Sequence, residues 1–140
     1  MDPITITTGP DTRLGGLDLT ISLTPAQAQA ISTDAAAMAD WFHSALAAMA
    51  TLRTDAAAMG PTDSSTAIND VDRRLLPRIQ GIRDALIRTH AKNGGTVQSL
   101  ADAMDIARST AQHRRQAVLT RTLPSTWERW ANEGGAHPTE

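Results

Sequence analysis

Residues 108–121 hold four arginines, Arg108, Arg114, Arg115 and Arg121, and no carboxylate. Ser109, Gln112, His113 and Gln116 stand among them. These side chains suit one chemistry. A glutamine amide pairs with an adenine edge, arginine forks onto guanine or a phosphate, and serine or histidine serves several acceptors. A solvated surface helix ordinarily mixes both signs of charge, so the missing carboxylates mark this stretch for a polyanionic partner.

The charge distribution sharpens the point. The 140 residues carry 13 Lys and Arg against 15 Asp and Glu, a net of −2. An isoelectric point near 6.0 argues by itself against a polyanion. The split argues for one. Residues 1–70 hold two arginines and eight aspartates, a local −6, whereas residues 71–130 hold eleven basic and five acidic residues, a local +6. Contacts with a polyanion are expected in the second half alone. Lys92 is the only lysine, and the Arg- and Ala-rich usage looks like that of a GC-rich genome.

Other chemistries find little support. The absence of cysteine excludes disulfides, Cys-ligated zinc, iron–sulfur clusters and thiol catalysis. His43, His90, His113 and His137 are scattered, and Asp40 three residues before His43 is a lone pair and a weak metal signal. No Gly-rich phosphate loop follows a strand, and Asn93-Gly94-Gly95 reads as a helix end. No Ser/His/acid set can be nominated. The chain is therefore expected to be no enzyme, with no cofactor and no metal. No apolar run approaches the roughly 20 residues of a membrane helix, and the first residues lack a signal-peptide layout. The expectation is a cytoplasmic, nucleoid-associated protein with no membrane partner.

The elements that must position the arginines can be read from spacing. Thr96 caps a short helix whose inner face is Val97, Leu100 and Met104. Ala101 falls where a larger side chain would hold two helices apart. Asp105-Ile106 is a turn, Ile106 plugs the space between the helices, and a second helix begins at Arg108 with Ala111 and Val118 on its buried side. Two helices joined by so short a turn must cross steeply, leaving the second one proud of the surface.

Residues 75–119, and 96–119 above all, resemble the helix-turn-helix of bacterial transcriptional regulators of actinobacterial type. The resemblance implies that helix 108–119 enters a major groove of double-stranded DNA. By position, Ser109, Gln112, His113 and Gln116 are the base-edge candidates. Thr96, Arg108, Thr110, Arg114 and Arg115 flank them as phosphate candidates. Two positions depart from the family pattern. Asp105 stands where the turn often has Gly, and Asp tolerates a left-handed conformation better than most residues. Arg114 stands where an apolar residue is usual; either its stem packs while the guanidinium reaches out, or a slight rotation lets Val118 take over the packing. Residues 120–124 are too short for a wing.

The rest of the chain reads as support. Residues 3–8 and 17–23 alternate apolar and polar and predict two strands around a Gly/Pro-rich connection. They cover a helix or pair with the same strands of a second chain. Thr24-Pro25-Ala26-Gln27 opens a helix expected over 25–59, with Ile31, Ala35, Met38, Phe42, Ala45, Met49, Leu52, Ala56 and Met59 in an a/d seam. That stripe is too large for a soluble monomer to leave bare. Ile31, Met38, Phe42, Met49 and Leu52 are therefore expected in a homodimer interface. Residues 61–69 read as a linker or tight corner. A helix over 70–92 follows, conflicted at Pro77, with Arg73, Arg74, Arg78, Arg83 and Arg88 mostly on its polar side. Ser125 to Glu128 is a capping box opening a last short helix, which Trp127 and Trp130 lock onto the domain. Residues 133–140 are an expected disordered tail.

The expected protein is mainly α: an N-terminal strand pair and a long dimerisation helix over 1–60, then a helix-turn-helix domain over 70–132. Its expected function is that of a homodimeric DNA-binding regulator, read as a repressor, on an inverted-repeat operator. Two rivals remain. One is a plasmid partition or replication accessory DNA-binding protein. The other is a protein-interaction module using the 25–59 helix. Trp41, Phe42 and the methionines could line a small-molecule effector pocket, but ordinary core filling is the preferred reading.

Overall fold

The computed structural model describes residues 2–121 and 123–134. The fold is mainly helical and opens with a two-stranded antiparallel hairpin. Two compact units part between Ala36 and Ala37. Among the described residues no helix is long and apolar enough to cross a membrane.

In the first unit, β1 (Ile4–Thr8) pairs with β2 (Leu17–Ile21) in the register Ile4↔Ile21, Ile6↔Leu19 and Thr8↔Leu17. The period of two gathers the aliphatic side chains on one face and Thr5, Thr7, Asp18 and Thr20 on the other. The connection closes where Gly9, at φ 108, donates its N–H to Gly16 O. Helix α1 (Pro25–Ile31) starts as its sequence dictates: Gln27 N–H donates to Thr24 Oγ1, and Thr24 N–H donates to Gln27 Oε1.

The single helix expected over 25–59 is broken. Ser32 ends α1 at φ 50, and α2 runs from Asp34 to Thr54. The cause lies in Ser32-Thr33-Asp34, short polar residues that compete for backbone groups and favour caps over helix interiors. Asp34 then favours the new N-terminus. A 3-10 turn over Ala56–Ala58 replaces the expected last turn.

Where a linker was expected over 61–69, helix α3 (Pro61–Ile68) forms instead, with Pro61 in its first turn. The Ser, Thr and Asp content that reads as loop is tolerated because Ser64 and Thr66 fold their hydroxyls back onto nearby carbonyls. Residues Asn69–Leu75 continue as a π-helical segment into α4 (Leu76–Lys92). Pro77 explains the widened segment. It has no N–H to give, so the preceding turn re-registers, and Leu76 N–H bonds Val71 O, five residues back. The Arg78 Nη1 group serves Arg74 O at 2.7 Å. The conflict at Pro77 is thus met by a change of helix type without a chain break.

Three short helices pack on α4. Helices α5 (Val97–Met104) and α6 (Arg108–Leu119) join it through Ile87, Leu100, Ala101, Ala111 and Val118, with Val97, Met104 and Ile106 against that cluster. Helix α7 (Thr126–Glu133) lies along α4 so closely that a Cβ on Gly81 would collide with Trp127 O. Trp130 is buried, and its ring meets Trp127 edge-on at 6.2 Å. Trp127 and Trp130 hold α7 in place, but through an unexpected partner.

That partner is Arg78. Its side chain is fully buried, whereas the sequence placed it on the polar side of its helix. The guanidinium carbon lies 4.2 Å from the Trp41 ring centroid, 4.6 Å from that of Trp127 and 5.5 Å from that of Trp130. Trp41 is therefore stacked on a cation. A flat, weakly hydrated guanidinium is the cation best suited to such a box.

Candidate nucleic-acid interface

Helix α5 begins at a reciprocal cap: Ser99 N–H donates to Thr96 Oγ1, and Thr96 N–H donates to Ser99 Oγ. His90 Nε2 lies 2.9 Å from the same Ser99 hydroxyl. The helix ends at Asp105, whose φ 52 and ψ 50 are left-handed, as a tight turn requires. Ile106 N–H then returns to Ala101 O. Ala107, extended, opens α6. Ala101 and Ala111 are both buried in the cluster that joins α5 and α6. The turn and both helices fall where the spacing predicted.

Ser109, Gln112, His113 and Gln116 are all exposed. Their steps of three, one and three residues put them on one face of α6, opposite buried Ala111 and Val118. Arg108, Thr110 and Arg114 are exposed beside them. Of the two ways Arg114 could be accommodated, the second describes the packing: Val118 is buried and Arg114 is not. Thr96 is exposed, with its hydroxyl engaged by Ser99 N–H. Arg115 is half-buried, and its Nη1 donates to Gly95 O at 3.0 Å, so this guanidinium braces α6 against the start of α5.

On the other flank of α6, Thr110, Arg114 and Ala117 follow at steps of four and three, one stripe along the helix, and Arg121 lies just beyond the helix end at Leu119. A cleft of about 200 Å³ runs there between α4 and α6, lined by Arg83, Asp84, Ile87, Arg114, Ala117, Val118 and Arg121. Asp84 is buried and accepts from Arg83 Nη2 at 3.1 Å and from Arg121 Nη1 at 3.2 Å. Sequence reasoning missed Arg83 and Arg121 as members of this surface. Arg121 lies past the end of α6 and Arg83 is on another helix, so neither approach has a local signal in the sequence.

Beneath this corner, Arg88 binds Glu128 through Nε and Val118 O through Nη2 at 2.8 Å. The Glu128 hydrogen bond raises the Arg88 pKa, partial desolvation lowers it, and the nearby charges of Glu128 and Asp84 raise it further. Ser125 caps α7 by accepting from Glu128 N–H, but the Glu128 side chain does not return to Ser125 as the expected capping box requires. Its carboxylate is taken by Arg88.

The expected interface residues lie in two units. Ile31 is exposed in the first; Phe42, Met49 and Leu52 are exposed on α2, where Met38 is half-buried. No residue of α2 is buried. Among the described residues no group of three or more His, Cys, Asp or Glu could hold a metal ion. No family model, curated protein or solved structure matches the chain.

Proposed function

We propose that the chain is a homodimeric, sequence-specific DNA-binding regulator of the helix-turn-helix type, acting as a repressor, with α6 in the major groove of an inverted-repeat operator. One observation carries the reading. The side of α6 turned away from the core presents Ser109, Gln112, His113 and Gln116 without a single carboxylate between Arg108 and Arg121. Those four side chains supply base-edge hydrogen bonds, and Thr96, Arg108, Thr110 and Arg114 supply phosphate contacts around them. Arg115 acts through its grip on Gly95 and contributes charge near the surface. The dimer reading rests on Phe42, Met49 and Leu52, aliphatic and aromatic side chains bare along α2. A two-fold axis would place two α6 helices about 34 Å apart, one turn of the duplex.

Selection from a randomised duplex pool, followed by fluorescence anisotropy on the enriched sequence, tests the reading. The expected result is an inverted repeat bound with steep salt dependence. Enrichment of no sequence, or binding indifferent to salt, overturns it. Footprinting separates the regulator from a plasmid partition or replication protein, which would cover an array of repeats.

A second reading, a protein-interaction module, draws on a surface other than the 25–59 stretch first named for it. An apolar groove of about 480 Å³ between α4 and α5 includes exposed Ile79 and Leu86 beside Ile82, Ala103 and Met104. That reading expects no salt-sensitive affinity for duplex DNA.

A further inference from the structure

The cleft between α4 and the C-terminal half of α6 gathers more positive charge than its carboxylates neutralise. Arg83, Arg114 and Arg121 line it, and Asp84 is the only acidic residue of the lining. The nearby Glu128 carboxylate is bound by Arg88 and stands 3.9 Å from Arg121 Nη1. Asp84, buried, holds Arg83 through Nε and Nη2 and Arg121 through Nη1. A guanidinium has five N–H donors. Among the described residues, Arg83 Nη1, Arg121 Nε and Nη2, and all of Arg114 have no acceptor. Two partly exposed cations thus share one buried carboxylate, with donors to spare, around a space of about 200 Å³. One water needs about 10–15 Å³ of such space, so the cleft has room for a tetrahedral oxyanion with water beside it.

We propose that this cleft is a phosphate seat and that it receives a backbone phosphodiester of the duplex bound by α6. The inference rests on the DNA-binding reading and adds Arg83 and Arg121 to the surface. A helix in a major groove about 12 Å wide has a phosphate chain on each flank. The flank carrying Thr110, Arg114 and Ala117, with Arg121 just past its end, borders the exposed stripe of Gln112, His113 and Gln116. Arg108 opens the opposite flank. Fixed guanidinium forks match phosphate oxygens better than mobile lysines do, and Asp84 acts as a positioning residue for two of them.

The test uses the full chain. Salt dependence of the anisotropy of a short mixed-sequence duplex is measured for the native protein and for Arg83→Gln, Arg114→Gln, Arg121→Gln and Arg73→Gln. Arg73 is an exposed arginine of the π-helical segment and serves as the charge control. Arg114 already belongs to the phosphate contacts of the proposed function, so Arg83→Gln and Arg121→Gln carry the test of the seat, and thermal midpoints of both variants check that packing is kept. Each seat variant should make the slope of log K against log salt shallower by about 0.9 for every phosphate that the variant no longer neutralises, and Arg73→Gln should leave it unchanged. Native-like slopes in Arg83→Gln and Arg121→Gln, or an equal change in Arg73→Gln, overturn the seat while the DNA reading stands. If the native protein binds no duplex, the DNA reading fails. Arginine Nε–Hε spectra titrated with inorganic phosphate at matched ionic strength then decide the seat. Shifts at Arg83, Arg114 and Arg121 retain it for another phosphate source, and unshifted signals end it.

Discussion

The Arg88 guanidinium binds the fully buried Glu128 carboxylate across forty residues of sequence and donates to Val118 O with its remaining edge. One side chain on α4 thus ties down α7 and the C-terminal end of α6. Leaving either charge alone in this corner is costly, because a buried ion without its partner keeps the desolvation penalty and loses the compensation. Arg88 retains some exposure, 15 % of its side chain, so the low end of the usual range applies. Arg88→Met should destabilise by about 3 kcal/mol in urea denaturation followed by tryptophan fluorescence. The double variant Arg88→Met, Glu128→Leu should recover most of that loss; equal loss in both would mean that packing, and not the pair, carries the stability. Because the folded Arg88 pKa is raised, its contribution is fully present below the ordinary guanidinium value and is lost only as pH climbs through the raised one. Titration of Arg88 should leave stability unchanged across the neutral range.

Gly81 gives a prediction whose sign separates two mechanisms. An exposed mid-helix Gly→Ala change ordinarily stabilises a helix by about 1 kcal/mol. At position 81 the new methyl would meet Trp127 O, C and Cβ, two of them backbone atoms. Gly81→Ala should therefore destabilise, by roughly 1–3 kcal/mol, with a change in tryptophan emission as α7 is pushed away. A gain in thermal midpoint would show that α7 does not lie on α4 as described.

The bare apolar surfaces make the homodimer testable. Phe42 and Leu52 are 49 % and 63 % exposed on α2. In the hairpin, Ile4, Ile6, Leu17, Leu19 and Ile21 share one exposed face, and a lone two-stranded sheet is marginal in water. Light scattering should give twice the chain mass for the native protein and the single mass for Phe42→Glu. Amide exchange in the hairpin should slow as protein concentration rises. A native chain of single mass at every concentration removes the dimer from the proposal without touching α6.

What was legible in the sequence was local. Thr96 as a cap, Asp105 as a left-handed stop, Ile106 as a plug and Ala111 with Val118 as the inner side of α6 all follow from neighbours within a few residues. The strand pair follows from period-two alternation. What failed was long-range, or a competition between local rules. Arg78 and Arg88 sit on a helix whose arginines read as polar-side residues, and only partners from distant segments, Trp41 and Trp127 for one and Glu128 for the other, draw them in. Glu128 has capping-box spacing, yet Arg88 outcompetes Ser125 for its carboxylate. The a/d seam over 25–59 is real as a pattern, but it is silent about Ser32, where a cap preference overrides helix continuity. Residues 61–69 have loop composition, and Pro61 in a first helical turn organises them instead.

Gln112 and Arg108 should fail differently, and that difference tests the assignment of α6 most directly. Both are exposed and neither is held by a hydrogen bond among the described residues, so neither change should alter folding. If Gln112 reads a base edge, Gln112→Ala removes a bidentate pair worth about 1–3 kcal/mol against the wrong base. Affinity for the selected site should fall roughly 5- to 150-fold, with the salt slope intact and affinity for unrelated duplex unchanged. If Arg108 holds a phosphate, Arg108→Gln should weaken binding to every duplex alike and make the salt slope shallower by about 0.9. Anisotropy titrations of both variants on selected and scrambled duplexes read out the contrast. Equal losses on both duplexes for Gln112→Ala would remove it from the base-reading face. A sequence-dependent loss for Arg108→Gln would move Arg108 onto that face.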